Sequence, residues 1–148
     1  MDDPWNLERF VDAQDPVWET VTAELRRGAK RTHWMWFVFP QVRGLGRSPL
    51  AERYAIDGRD EAVAYLAHPT LGGRLREATA LVLGVEGRTL TEILGTPDDL
   101  KFRSSMTLFA AAASDPGLYR RALDGLCDGR EDARTLAALR KDVHADPV

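Results

Sequence analysis

The chain has 148 residues, 44% of them hydrophobic, with 20 basic against 23 acidic side chains and a formal net charge of −3. That length and apolar content fit one ordinary domain whose core needs neither disulfide nor metal. The charge balance excludes broad neutralisation of phosphates and so argues against a nucleic-acid partner. Cys127 stands alone and excludes an internal disulfide, and three scattered histidines offer no metal-ligand spacing, so no metal site is expected and no cofactor is specified. The start, MDDPWNLERF, is acidic and lacks the apolar stretch of a secretory signal, and no apolar run approaches the ~20 residues that span a bilayer. The expectation is a soluble, cytoplasmic protein that does not enter a membrane, of unspecified oligomeric state.

In chain order, Leu7, Phe10, Val11 and Gln14 mark a first short helix. Pro16 opens a second, with Val17, Val21 and Leu25 on one face and Gly28 as its stop. Asp60 to Ala67 reads as a helix closed by Pro69. Leu71 to Leu83 follows, with Leu71, Leu75, Ala78 and Val82 in line and a first turn weakened by Gly72 and Gly73. Thr89 and Glu92 have the spacing of a capping box, with Gly95 ending that helix. Pro97, Asp98 and Asp99 make an acidic start for Leu100 to Ala113, and helices over Gly117–Cys127 and Asp132–Lys141 complete the chain. The sum is one all-α domain over residues 1–148, built of about seven to eight short helices.

The exception is the aromatic stretch HWMWFVF, residues 33 to 39, whose composition suits a buried strand or a buried helix equally. With no partner strand in the sequence, a helix capped by Thr32 and ended by Pro40 is the preferred reading. Trp34 and Trp36 point to different sides in either case, so one of them at most faces a ligand.

Beyond it lies Arg43-Gly44-Leu45-Gly46-Arg47-Ser48-Pro49, leading into a helical pattern of Leu50, Tyr54 and Ile56. Ser48 has the place of an N-cap and Pro49 that of the first helical residue, while Gly44 and Gly46 would let backbone N–H groups converge. Flanked by Arg43 and Arg47, this is a candidate phosphate or carboxylate site. A plain tight turn with solvated arginines explains the same letters. A dinucleotide fingerprint is excluded, because Pro49 occupies the third glycine position.

In DDLKFRSSMTLF, helical spacing sets Lys101 beside Ser104 or Ser105, the arrangement of a lysine-activated serine. Serines bonded to the preceding turn are the simpler explanation, and Lys101, Arg103, Ser104 and Ser105 holding an anionic group need less special geometry. His33 is the candidate acid or base near neutral pH, with Lys101 as its companion; His68 and His144 lie in a pre-proline turn and a tail. Asp12 and Gln14 are polar beside an apolar stripe, which capping or exposure would explain.

The segments NLERFVDAQ, HWMWFVFPQVRGLGRSPLAERYAI and DDLKFRSSMTLFAA together resemble a bacterial family catalogued as domain of unknown function 1810, across nearly the whole chain. The resemblance implies an all-helical single domain and brings no reaction or cofactor with it. Some members carry a calpastatin label, yet a sequence rich in aromatics and helical faces does not resemble a disordered protease inhibitor. The resemblance also marks Asp12–Gln14, His33–Ser48 and Lys101–Thr107 as the segments that define the family.

Polar residues embedded in apolar segments need partners or a ligand when buried. The functional expectation is therefore a pocket for an anionic, phosphorylated or nucleotide-like small molecule. Arg43, Gly44, Gly46, Ser48, Arg103, Ser104 and Ser105 would serve its charge, Trp36 its ring and Gln41 a polar edge. Hydrolysis or group transfer through His33 and Lys101 is the matching reaction class. The alternative is a non-enzymatic protein-interaction module that uses the basic turn as its docking surface.

Overall fold

The computed structural model describes residues 2–145, with side chains as far as Lys141. The outermost residues of the expected 1–148 domain and the side chain of His144 lie outside the described residues.

The described residues form an all-α domain. Helix α1 (Glu8–Gln14) starts where the Asp3 carboxylate accepts the N–H groups of Leu7 and Glu8, at 2.8 and 3.0 Å. Pro16 sits in a 3₁₀ turn (Asp15–Val17) rather than opening the next helix, so α2 (Trp18–Arg27) begins two residues beyond it. Gly28 ends α2 in the left-handed region at φ 68°, with its own N–H and that of Ala29 returned to the last turn.

The aromatic stretch is helical for one turn only, α3 (Met35–Val38). Thr32 does not cap it, because the Thr32 hydroxyl and N–H are both committed to the Glu24 carboxylate, at 2.7 and 3.1 Å. Helix α4 (Pro49–Arg53) has its expected cap: Ser48 Oγ accepts the Ala51 N–H at 3.1 Å. Ile56 falls outside it and pairs with Val42 in a parallel bridge, through Arg43 N–H to Ile56 O at 2.7 Å and Ile56 N–H to Gln41 O at 2.9 Å. That bridge is the only β pairing among the described residues.

Helix α5 (Arg59–Ala67) turns tightly into α6 (Leu71–Leu83), which buries the expected Leu71, Leu75, Ala78 and Val82. The glycine that weakens the start of α6 has a packing reason, since a Cβ on Gly72 would lie 2.2 Å from Leu66 O. His68 supplies an unexpected cap, its Nδ1 accepting the N–H groups of Thr70 and Leu71 at 3.0 and 3.2 Å. The capping box at α7 (Leu90–Leu94) is formed as expected.

Helix α8 (Asp98–Ala112) is the axis of the domain. It packs against α5, α7, α9 (Gly117–Leu126) and α10 (Ala133–Ala145), while α6 bridges α2, α5 and α9. Phe102, Met106 and Phe109 recur at helical spacing along α8 and are fully buried. Ring contacts at 5.0–5.3 Å tie Phe102 to Phe39, Phe109 to Tyr65 and Tyr65 to Phe10, so α8 is joined to the end of α3 and to α5, and through Tyr65 to α1. This places the aromatic segment directly against the N-terminal half of α8.

Candidate functional site

Packing α3 against α8 brings residues far apart in sequence to one crevice. Trp36, Gln41, Gly44, Gly46 and Lys101 line it, and Tyr54 and Phe39 are among its apolar walls. Lys101 Nζ lies over the Trp36 ring, 5.4 Å from its centroid, and 3.8 Å from Asp98 Oδ1. The crevice is nearly closed, with a cavity volume of about 10 Å³, room for a single water.

The two tryptophans differ in burial. Trp34 is enclosed in the core and its Nε1–H donates to Glu24 at 2.9 Å, whereas Trp36 is partly exposed. Glu24 itself is buried and accepts from the N–H groups of Arg31 and Thr32, the Thr32 hydroxyl and the Trp34 indole. Burial raises its pKa, and these donors outweigh that effect and bring it from 4.5 down to about 2. Glu24 therefore holds the turn from Lys30 to Trp34 in place as a carboxylate at neutral pH.

Lys30 belongs to the same cluster. Its ammonium is 2.8 Å from Asp98 Oδ2, it lies 5.0 Å from the Trp34 ring centroid, and its side chain is only 7% exposed. Two lysines thus flank Asp98, each over one tryptophan of the WMW segment. Neither Lys30 nor Asp98 is evident as a site residue in the sequence, because 68 positions separate them and Asp98 reads there only as part of an acidic helix start.

The remaining candidates disperse. Arg43 turns away from the crevice to pair with Asp57 and to reach Glu52 O at 3.4 Å. Ser48 spends its oxygen capping α4, and Gly46 is required sterically because a Cβ there would meet Ala51 Cβ at 2.6 Å. Gly44, at φ 99° with open space around it, serves the backbone turn. The loop is thus a tight turn with a self-capped helix, and Arg43 is engaged elsewhere.

Ser104 Oγ donates to Leu100 O at 3.2 Å, and Ser105 is fully buried with its Oγ unpartnered, so neither serine meets Lys101. Arg103 lies 3.7 Å from Asp132 and lines a separate open cleft of about 500 Å³ with Arg88, Arg130 and Cys127. Burial pushes the Cys127 thiol up to about 11, which leaves it protonated and unreactive near neutral pH. His33 is exposed on its turn and does not line the crevice. Gln14 is neither a cap nor exposed: it is buried and donates to Phe37 O at 2.6 Å and to Tyr65 Oη at 3.2 Å.

The sequence profile of the family described as "Protein of unknown function (DUF1810)" matches residues 4–139. The chain belongs to the DUF1810 family. No curated protein matches it. Among solved structures it is similar to the conserved hypothetical protein Rv1873 of Mycobacterium tuberculosis, a crystal structure, with 56% identity and a TM-score of 0.92 over 93% of this chain and 99% of that one. The helical DUF1810 domain is therefore shared with an experimentally determined bacterial relative. No helix among the described residues is long and apolar enough to cross a membrane.

Proposed function

We propose that this DUF1810 protein binds a small anionic molecule with a flat ring in the crevice between α3 and α8. The observation that supports this best is the convergence of Trp36, Gln41, Gly44, Gly46 and Lys101, drawn from segments up to 65 residues apart, on one site. Each contributes what such a ligand needs: Trp36 a partly exposed stacking face, Lys101 a charge, Gln41 an amide and the glycines close backbone approach. Lys101 is tethered only by a ring face and a 3.8 Å contact, so its flexible side chain can leave Trp36 and admit a ring to a crevice that is otherwise closed. Any acid–base or group-transfer chemistry falls to Lys101 before His33, which stands outside the crevice.

The test is a thermal-shift and calorimetric screen of nucleotides, sugar phosphates and aromatic acids against the wild type, Lys101→Met and Trp36→Phe. A ligand at a hundredfold excess over its Kd adds about 2.7 kcal/mol of stability. The reading expects a stabilising ligand whose effect both substitutions remove.

The closed crevice and the exposure of Arg47 favour one second reading, a docking surface for an acidic partner protein. It expects no small-molecule shift in the screen and a partner whose binding weakens with Arg47→Ala.

A further inference from the structure

The charges around the crevice restrict what it can hold. Lys101 is the only cation on its walls among the described residues. Arg43 is paired with Asp57, Arg103 faces the separate cleft beside Asp132, Arg134 donates to Leu45 O at 3.3 Å without lining the crevice, and exposed Arg47 and His33 do not line it either. Nor is Lys101 a free charge, because it shares Asp98 with the nearly buried Lys30.

The sharing is unequal. Lys30 holds Asp98 at 2.8 Å and Lys101 at 3.8 Å. Withdrawing Lys101 leaves Asp98 still compensated by Lys30, so Lys101 can exchange partners without stranding a carboxylate. Two lysines and one aspartate carry a net charge of one positive, which a single negative charge neutralises. A second or third negative charge would find no cation on the crevice walls and would stand near Asp98, where repulsion opposes it.

Building on the proposed function, we infer that the ligand is a flat aromatic monoanion, its ring on Trp36 and its one charge taken by Lys101 in exchange for Asp98. The charged group is a ring carboxylate or a phosphodiester, and a diphosphate or triphosphate chain is selected against.

The test is calorimetric titration at one fixed ionic strength with probes that share a ring and differ in charge: adenosine, cyclic AMP, ADP and ATP, with indole carboxylate as the carboxylate arm. The expected order is cyclic AMP or indole carboxylate binding about tenfold or more tightly than adenosine, ADP or ATP. In Lys101→Met the preference for the monoanion over its neutral analogue disappears, and in Lys101→Arg it is kept. Whichever of the two monoanions binds more tightly identifies the charged group.

If ADP or ATP binds more tightly than both cyclic AMP and adenosine, the single-charge inference is overturned while the anion site stands. If no probe binds, or adenosine equals the monoanions, the anion site itself is overturned and the inference with it. The wild-type order decides between these outcomes even if a variant does not fold.

Discussion

Of the five cations that sit on aromatic faces among the described residues, Arg9 and Lys101 are held in opposite ways. Arg9 lies 4.4 Å from the Phe10 ring centroid, and its five N–H donors meet the carbonyls of Trp5, Asn6, Arg53 and Ala55 and the carboxylate of buried Glu61. Lys101 lies 5.4 Å from the Trp36 centroid, and its ammonium has one carboxylate contact, at 3.8 Å. A guanidinium with every donor satisfied joins the start of α1 to α5 and the chain before it, and its role is structural. An ammonium left with donors to spare beside an accessible ring and an amide is a group held ready for something else. The completeness of its partnering, more than residue type, separates the two.

The largest expected effect lies on the satisfied side. Arg9→Met strands Glu61, 2% exposed, and should lower stability by about 3 kcal/mol in urea denaturation while leaving ligand binding by folded protein unchanged. An effect below 1 kcal/mol would erase the contrast with Lys101.

Glu24 offers the next test. Its folded pKa, about 2, lies below the 4.5 of the unfolded chain, so its stabilisation is fully present above pH 4.5 and is lost as pH falls from there towards 2. Glu24→Gln should cost about 2 kcal/mol at neutral pH. Measured by urea denaturation across that window, the variant should also show a shallower decline than the wild type. Asp3 and Asp99, whose pKa values are also lowered in the fold, keep some slope in both proteins. Identical slopes would show that Glu24 does not hold the Lys30–Trp34 turn through its charge.

Glycine substitutions sharpen the comparison further. Gly72→Ala gains helix propensity but drives a Cβ to 2.2 Å from Leu66 O, and should lose about 2 kcal/mol of stability. Gly44→Ala meets no atom within 4 Å and loses only what its φ of 99° imposes, about 1 kcal/mol. Reversal of that order in thermal melts would mean that the crevice loop is more tightly specified than the α5–α6 turn. The smallest effect belongs to Lys101→Met, within about 0.5 kcal/mol of wild type, as expected for a loosely tethered, partly exposed charge.

The same distinction explains what was legible in the sequence. Local signals gave correct elements: the four-residue row of apolar positions in α6, the Thr89–Glu92 capping box and the Ser48 cap each depend on neighbours within a few positions. Thr32 misled because a carboxylate eight residues earlier competes for its hydroxyl, and Gly72 looked like a weakness because Leu66 O, which demands it, belongs to the preceding helix. At the site, the residue types were readable at Trp36, Gln41, Gly44, Gly46 and Lys101, and the structure gathers these five. Arg43, Arg103 and the two serines were indistinguishable from them by composition, since only the fold reveals that Arg43 pairs with Asp57, that Arg103 faces a separate cleft, and that both serines are buried away from Lys101.

The most direct measurement uses the indole N–H resonances in a nitrogen–proton correlation spectrum, titrated with cyclic AMP and indole carboxylate. Trp34 and Trp18 are internal controls, their indole N–H groups bonded to Glu24 and Glu77. The account predicts a saturable shift of the Trp36 resonance, assigned by its loss in Trp36→Phe, with the Trp18 and Trp34 resonances unmoved and the response in Lys101→Met weakened to that given by adenosine. A Trp36 resonance that stays fixed while the probes are added, or that moves equally with and without Lys101, would contradict it.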